Sequence, residues 1–306
     1  MTIANEHHPP GLGTPVLSEE CEGPRPDESP PSGRFTLWQL PSQKPGGQMM
    51  SYVLQTRGGK TLVIDGGDAR DASYLKGFLA AVGNHVHAWF ITHPHRDHVD
   101  ALTAILGPPE DPRADRTGLR IDAIHASLPD EAWVAAHEPQ NHERLRTFKK
   151  TVEESGLQIT ELALGQLIHI DGVRIEILGV RNPDVTAGIN NSSVVMRVTD
   201  AHKSVLFTSD LMAQGGRKLL RGPYRDRLRA DYVQMSHHGQ DGVDEAFYRA
   251  VAPKACLWPS PRWLYDNDGG SGKGSGRWQT LEVRAWMERL NVREHYVSGD
   301  GPCRID

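Results

Sequence analysis

The stretch "AWFITHPHRDHVD", residues 88–100, constrains the fold of this chain more than any other. An apolar run typical of a buried strand ends at Thr92, and three histidines and an aspartate follow within six residues. Loops at the edge of a sheet are where a rigid scaffold carries functional side chains. Neutral imidazoles and carboxylates are also suitable ligands for zinc and similar divalent ions. The sequence therefore predicts a metal-binding loop at a sheet edge.

The spacing within this loop favours two ions rather than one. His93 and His95 are two residues apart, so both can reach one ion from an extended loop. Asp97 and His98 lie on the turn that begins the next predicted helix, so they face a different point. We therefore expect two adjacent ions.

Short strand-like runs and helical segments alternate along the rest of the chain. "RFTLWQL", "MMSYVLQT" and "KTLVIDGG" predict a β-meander with a hairpin turn at Gly58-Gly59, and a second strand-rich stretch runs from "QLIHID" to "KSVLFTSD". A long polar helix is predicted over 131–155. Two successive halves of strands followed by helices predict an α/β fold with two sheets and helices outside.

The flanking composition sets the domain limits. Residues 1–33 are rich in proline and lack apolar periodicity, so we expect a disordered tail before a folded domain at 34–306. "DNDGGSGKGSG" at 266–276 is too rich in glycine for regular structure and predicts a flexible linker or lid.

Composition also excludes several classes of protein. Cys21, Cys256 and Cys303 are widely spaced, which predicts neither a disulfide framework nor a thiolate zinc site. A net charge of −5 argues against a surface built wholly to bind polyanions. Long apolar runs and signal-peptide features are both missing from the sequence, so we expect a cytoplasmic protein without membrane contact.

The HxHxDH motif after an apolar strand resembles that of the metallo-β-lactamase fold superfamily of αββα metallohydrolases, and the resemblance extends from about residue 35 to the C-terminus. It implies a four-layer αββα sandwich of two mixed β-sheets flanked by helices, and a pair of divalent ions. We expect zinc, with manganese or iron as alternatives.

The resemblance also implies ligands further along the chain. Asp210 ends a strand hairpin, as does the aspartate that bridges the two ions in this superfamily. In "YVQMSHHG" the last ligand is best matched by His238, although the roles of His237 and His238 could be reversed. Asp65 would support the metal loop by hydrogen bonds. The expected ligands are His93, His95, Asp97, His98, Asp210 and His238.

One departure concerns the third histidine that many superfamily members use at the first ion. Asn190 or Asn191 stands at that position. An amide oxygen is a weak zinc ligand, so we expect a first site that is either less tightly occupied or completed by water or another side chain. Four other histidines are candidates, although each alone is more typical of a surface or structural histidine: His125, His137, His142 and His169.

"NNSS" before "VV", a strand ending in aspartate and "HHG" are similar to the hydrolase domain of the ComEC/Rec2 DNA-uptake proteins and related phosphodiesterases. Ser209 stands where those proteins usually have glycine, and Gln240 where they have serine. "YDNDGGSGKGSG" also lacks their later histidine and proline. These departures leave the substrate open.

The resemblance implies hydrolysis by a metal-activated water. Asp97 or Asp210 would orient that water and accept its proton, and His237, or whichever of the histidine pair is not a ligand, would protonate the leaving group. The loop residues expected to hold substrate oxygens are Asn190, Asn191 and Ser192.

Six basic residues at 216–229 favour a phosphodiester substrate, either nucleic acid or a small phosphoester. Trp263 and Trp278 could stack on a base or pack in the core. Hydrolysis of a lactone, lactam or thioester at the same two ions is the alternative, and so is a metal-binding module with weakened catalysis. The oligomeric state is left open.

Overall fold

A computed structural model describes residues 30–107 and 118–306. Most of the predicted tail, and Cys21 with it, lies outside the described residues. The described strands are β1 Phe35–Gln39, β2 Ser51–Thr56, β3 Thr61–Asp65, β4 His85–Ile91, β5 Arg120–Ile121, β6 Ile124–Ala126, β7 Ile159–Glu161, β8 Leu167–Ile170, β9 Val173–Gly179, β10 Val195–Thr199, β11 Ser204–Phe207, β12 Tyr232–Gln234, β13 Ala255–Trp258, β14 Glu294–Val297 and β15 Cys303–Ile305. The described helices are α1 Ala72–Ala81, α2 Arg96–Leu106, α3 Glu131–His137, α4 His142–Glu154, α5 Ala213–Arg221, α6 Glu245–Val251, α7 Arg262–Tyr265 and α8 Thr280–Arg289.

The strands form two mixed sheets. The first has the order β15-β1-β2-β3-β4-β6-β7, with β5 also paired to β4, and the second has the order β14-β13-β12-β11-β10-β9-β8. One apolar cluster fills the space between the sheets, and two others fill the space between each sheet and its helices. The predicted four-layer αββα sandwich is confirmed.

The hairpin predicted at Gly58-Gly59 is confirmed. β2 pairs antiparallel with β3, Gly59 has a φ of +87°, and its amide donates to the Thr56 carbonyl at 2.9 Å. Glycine adopts this left-handed conformation without steric cost. The turn thus sets the register of the meander that leads to Asp65.

The helix predicted over 131–155 is instead two helices, α3 and α4. Pro139 follows α3, and the residue before a proline is pushed out of the helical region. Glu138 accordingly has a φ of −151° and a ψ of 61°. Glu138 therefore lies between the two helices and belongs to neither.

Parallel pairing brings several strand ends to one edge of the sandwich. β3 is parallel to β4 in the first sheet, and β11 is parallel to β12 in the second. The carboxyl ends of parallel strands lie at the same edge. The segments that follow β4 and β11 also meet across the two sheets, where Thr92 Oγ1 lies 2.6 Å from Ser209 Oγ.

The Gly/Ser segment at 266–276 forms consecutive turns. The carboxylate of Asp268 accepts hydrogen bonds from the amides of Gly270 and Gly272 at 2.8 and 2.9 Å.

Among the described residues, no helix has the length and apolar character needed to cross a membrane.

Candidate metal centre

Three histidines at this edge are held in the same way, because the Nδ1 atom of each ring lies within hydrogen-bonding distance of a buried oxygen. The pairs are His93 with Ser209 Oγ at 3.1 Å, His98 with Asp65 Oδ2 at 2.8 Å, and His238 with the Pro259 carbonyl at 2.8 Å. The Nε2 atoms of the same three rings are buried and, within the described chain, accept or donate no hydrogen bond. Each ring therefore presents a nitrogen that only the carboxylates of Asp97 and Asp210 approach.

Asp210 lies between these nitrogens. Its Oδ2 is 3.3 Å from His98 Nε2 and 3.8 Å from His93 Nε2, and its Oδ1 is 3.8 Å from His238 Nε2. Oδ1 also lacks a hydrogen-bond partner in the described part of the chain. One carboxylate thus faces histidines from both sheets.

Asp97 completes the group on the His238 side. Its Oδ2 is 3.0 Å from His238 Nε2. Potential ligand atoms lie within 4.8 Å of one another in two overlapping sets, one of His93, His98 and Asp210 and one of Asp97, His98 and His238. We call these five residues the candidate cluster. A further set, at the opposite end of β4, consists of His85, His87 and Asp122.

Asp65 ties the loop to the sheet. Its carboxylate accepts from the amide and the hydroxyl of Thr92 at 2.8 and 2.7 Å, and it also contacts His98. Asp65 is fully buried. Ser209, which sequence reasoning did not assign a role, contacts Thr92 Oγ1 at 2.6 Å and so joins the two sheets beneath the cluster.

Four residues at this edge have a left-handed backbone although they are not glycine: Asp65, Ser209, His237 and His238, with φ values from 49° to 56°. Such conformations cost about 1–3 kcal/mol each and persist where the surrounding structure fixes them, often at functional sites. The edge is therefore strained as well as polar.

The charges of the candidate cluster are set by burial and by mutual contact. Burial, together with the nearby His98 and His95 rings, lowers the pKa of His93 well below its ordinary value. Burial raises the pKa of Asp210, but His98 and His238 outweigh this effect and hold it well below its ordinary value. A neutral imidazole and an ionised carboxylate are the forms that bind a cation.

His95 is oriented differently from the other histidines of the motif. Its Nε2 lies 2.8 Å from Glu138 Oε1, and both side chains are partly exposed. Glu138 also accepts from the Ile189 amide at 2.7 Å and from Asn141 Nδ2 at 2.7 Å. Sequence reasoning missed Glu138, although Pro139 inside a predicted helix was a signal of the break that exposes it.

The residues predicted to hold substrate are separated by the structure. Asn190 lies next to His237, a neighbour of the cluster, with its Nδ2 3.4 Å from His237 Nε2. Asn191 instead accepts a hydrogen bond from the Gly215 amide at 2.9 Å, and Ser192 accepts one from the Asn182 amide at 3.1 Å. Asn191 and Ser192 are both buried. Of the three, only Asn190 contacts a residue beside the cluster.

His237 lies beside the cluster and is partly exposed. Its Nε2 is 3.9 Å from Asp210 Oδ2, and its Nδ1 is 2.6 Å from Asp241 Oδ1. Burial lowers the pKa of His237, but the carboxylates of Asp210 and Asp241 outweigh burial and raise it.

The candidate histidines at 125, 137, 142 and 169 belong to none of the three sets of potential metal ligands among the described residues.

Half of the basic residues at 216–229 form ion pairs with carboxylates. The pairs are Arg217 with Asp244 at 3.6 Å, Lys218 with Asp184 at 3.2 Å and Arg227 with Glu176 at 3.2 Å. Arg221, Arg225 and Arg229 are exposed. The segment therefore has a structural role as well as three exposed charges.

The donors of the candidate cluster fit divalent ions. Imidazole nitrogens and carboxylate oxygens are common zinc ligands, and a ligating histidine usually has its other nitrogen held by a hydrogen bond. His93, His98 and His238 meet that condition, each with Nε2 left for a cation. An unpaired buried polar atom costs about 1–3 kcal/mol, so several together need an explanation. A bound cation supplies one.

No family model matches the chain. ComE operon protein 3 of Bacillus subtilis is 24% identical over 182 residues, which are 59% of this chain and 21% of that protein. The chain thus matches about a fifth of that relative's length.

Among solved structures, the metallo-β-lactamase fold protein YhfI from Bacillus subtilis matches with a TM-score of 0.54 and 15% identity, over 89% of this chain and 100% of that one. CmlA, a diiron β-hydroxylase from Streptomyces venezuelae, matches with a TM-score of 0.51 and 11% identity, over 90% of this chain and 54% of that one. The protein therefore has the metallo-β-lactamase fold, and its sequence is similar to part of ComE operon protein 3.

Proposed function

We propose that this protein is a metal-dependent hydrolase that uses two divalent ions, most simply zinc, held by the candidate cluster and His95. The observation that carries the proposal is the convergence on Asp210 of three buried histidine nitrogens that lack a hydrogen-bond partner within the described residues. Asp210, which faces histidines from both sheets, would be a ligand in common to the two ions. A pair of ions supplies a hydroxide nucleophile at neutral pH and neutralises charge on the substrate.

We propose the following roles for the side chains around that centre. The Asp97 carboxylate would orient the attacking water and accept its proton, with Asp210 as the alternative base. His237 would donate a proton to the leaving group, because it is partly exposed and its Nδ1 is held by Asp241. Asn190, which is partly exposed and lies beside His237, would contact the substrate.

Glu138 would act on the His95 side of the centre. By holding His95 through Nε2, it leaves Nδ1 as the ring atom able to bind a cation. Carboxylate–histidine pairs of this kind fix the ring and raise its basicity. Glu138 would therefore position His95. That histidine would bind the ion at which this chain has asparagine in place of a third histidine.

A phosphodiester is the proposed substrate class. The similarity to ComE operon protein 3 and the three exposed arginines of the 216–229 segment support it. Because Arg217, Lys218 and Arg227 are paired with carboxylates, the support from this segment rests on the other three. The fold itself does not decide the matter, since related folds host different chemistry.

The test is to purify the full chain, measure its metal content and assay a panel of substrates. We expect two ions per chain and turnover of bis(p-nitrophenyl) phosphate that Asp97→Ala removes while the ultraviolet circular dichroism is unchanged. Turnover of nitrocefin or a thioester, without turnover of the phosphodiester, would reject a phosphodiester as the substrate class and favour a lactam or a thioester. Phosphodiester turnover that survives Asp97→Ala would reject the mechanism.

A further inference from the structure

The backbone that leads to Asp210 leaves the second sheet before it reaches this residue. β11 ends at Phe207, so Thr208 and Ser209 lie beyond the strand. Both residues are buried, with exposed fractions of 0% and 1%. A buried backbone amide without an acceptor is unfavourable. The amides of Thr208 and Ser209 therefore need an acceptor that the strand ladder does not supply.

Gln234, the last residue of β12, supplies this acceptor through its side chain. Its Oε1 accepts from the amides of Thr208 and Ser209 at 2.9 and 2.5 Å. Its Nε2 donates to the carbonyls of Ser209 and Met235 at 3.0 and 2.7 Å, so both hydrogens of the side-chain amide have an acceptor. Gln234 is itself only 1% exposed. One buried side chain thus holds both the amide and the carbonyl of Ser209.

Ser209 needs this support because its backbone is left-handed, with a φ of 51°. Residues other than glycine rarely adopt this conformation, and it persists where surrounding contacts fix it. The His237 amide also donates to the Ser209 carbonyl, at 3.0 Å. From this backbone the Ser209 Oγ lies 3.1 Å from His93 Nδ1, and the chain continues into Asp210. The conformation of one residue therefore affects two members of the candidate cluster.

We propose that Gln234 is a positioning residue for Asp210 and for the Ser209 hydroxyl. Within the described residues, none of its side-chain hydrogen bonds reaches the candidate cluster, so it acts through the Ser209 backbone. Glycine adopts the left-handed conformation without steric cost, whereas serine depends on contacts that hold it there. This role rests on the proposed function, in which Asp210 is a ligand of both ions.

The first test compares Gln234→Met with Gln39→Met in the full chain, because methionine keeps the length of the side chain and removes the amide. Gln39 is also buried, with Oε1 accepting from the Tyr52 hydroxyl at 2.8 Å and Nε2 donating to the Tyr296 carbonyl at 3.1 Å. We expect both variants to unfold at a lower temperature. Only Gln234→Met should bind zinc more weakly, by about 10- to 100-fold, as when a group that orients a ligand is lost. Competition against a chelating dye measures the zinc affinity.

The second test asks whether the dependence on Gln234 comes from the serine at position 209. In a Ser209→Gly background, Gln234→Met should lower the zinc affinity by less than about threefold, because glycine adopts the left-handed backbone unaided. The loss of thermal stability should be similar in the two backgrounds, since the amides of residues 208 and 209 lose the same acceptor in both. A purely structural role would change the zinc affinity equally in the two backgrounds.

An equal loss of zinc affinity in the two backgrounds, or an equal loss in Gln39→Met, would overturn the proposal. If Gln234→Met does not fold, Gln234→Glu replaces it, because a carboxylate still accepts from both amides and its added charge is common to the two backgrounds. Wild-type zinc affinity in the Gln234 variant would reject only the role of Gln234. A wild-type chain that binds no divalent ion would reject the proposed hydrolase as well.

Discussion

The two ends of the candidate metal centre are built differently. At one end, which we call the His238 end, Asp97, His98 and His238 lie with ligand atoms within 4.8 Å of one another, and the two rings are held at Nδ1 by buried oxygens. At the other, the His95 end, His95 is partly exposed and contacts Glu138, which precedes the proline that separates α3 from α4.

This difference indicates that the His238 end is more preorganised for a cation than the His95 end. Ligands that are already in place before a cation arrives need little ordering on binding, whereas partly exposed side chains on a loop must be ordered at that moment. The His95 end also has asparagine where many superfamily members have a histidine. We therefore expect one tight ion and one weaker ion.

The largest effect is expected at the residue shared by both ends. Asp210→Asn keeps the volume of the side chain but removes the charge that faces His93, His98 and His238. Both ions should be lost, and phosphodiester turnover should fall by about a thousandfold or more. Elemental analysis measures the loss of the ions, and the activity assay measures the fall in turnover. Asp226→Asn, at an exposed aspartate, is the control and should change neither value.

The next effect separates the two ends directly. His238→Ala should remove the ion that resists a chelator, and His95→Ala should remove the ion that a chelator takes first. Competition against a chelating dye, followed to completion, gives the two affinities for each variant. Loss of the same ion in both variants would show that the ends are not independent, and the comparison would then fail.

Sequence patterns predict those ligands of this centre that lie close together in the chain, and they do not by themselves predict the ligands that lie far apart. His93, Asp97 and His98 lie in one motif after an apolar strand, so their meeting was readable from spacing and from the position of the strand end. Asp210 and His238 come from the other sheet, and only the resemblance to a known superfamily placed them. The structure brings all five together.

Other features could not be read from periodicity. The polar pattern of 131–155 continues through Glu138, so the helix break was visible only as Pro139, and no pattern says that the freed carboxylate reaches His95. Likewise, Asn190 and Asn191 are neighbours of one type, and only the turn conformation decides that one contacts His237 and the other contacts α5.

A smaller effect is expected from the support of the His238 end. Asp65→Asn keeps one acceptor oxygen but removes the charge beside His98. Loss of such a supporting carboxylate typically costs about 10- to 100-fold in metal affinity. The loss should fall on the tight ion and is read by chelator competition. A loss confined to the weak ion would contradict the assignment of Asp65 to this end.

Glu138→Gln is the matching change at the His95 end. The amide oxygen still accepts a hydrogen bond, so we expect a smaller loss, about tenfold, in the affinity for the weak ion alone. Glu131→Gln is a matched control on the preceding helix, where Glu131 contacts Lys149 at 3.5 Å and is well removed in sequence from the break. Unchanged metal affinity in Glu138→Gln, with the protein folded, would reject Glu138 as a positioning residue.

The smallest effect is expected from Pro139→Ala, which leaves every proposed ligand in place. Alanine restores an amide hydrogen and lifts the restriction on Glu138, so α3 is free to continue and the Glu138 side chain is no longer held toward His95. We expect the affinity for the weak ion to fall by about two- to fivefold and the free energy of unfolding to fall by less than about 1 kcal/mol. Chelator competition and thermal unfolding measure the two. Among the described residues, no contact joins Glu138 to the His238 end. A fall in the affinity for the tight ion would therefore mean that the backbone at the break supports the whole centre.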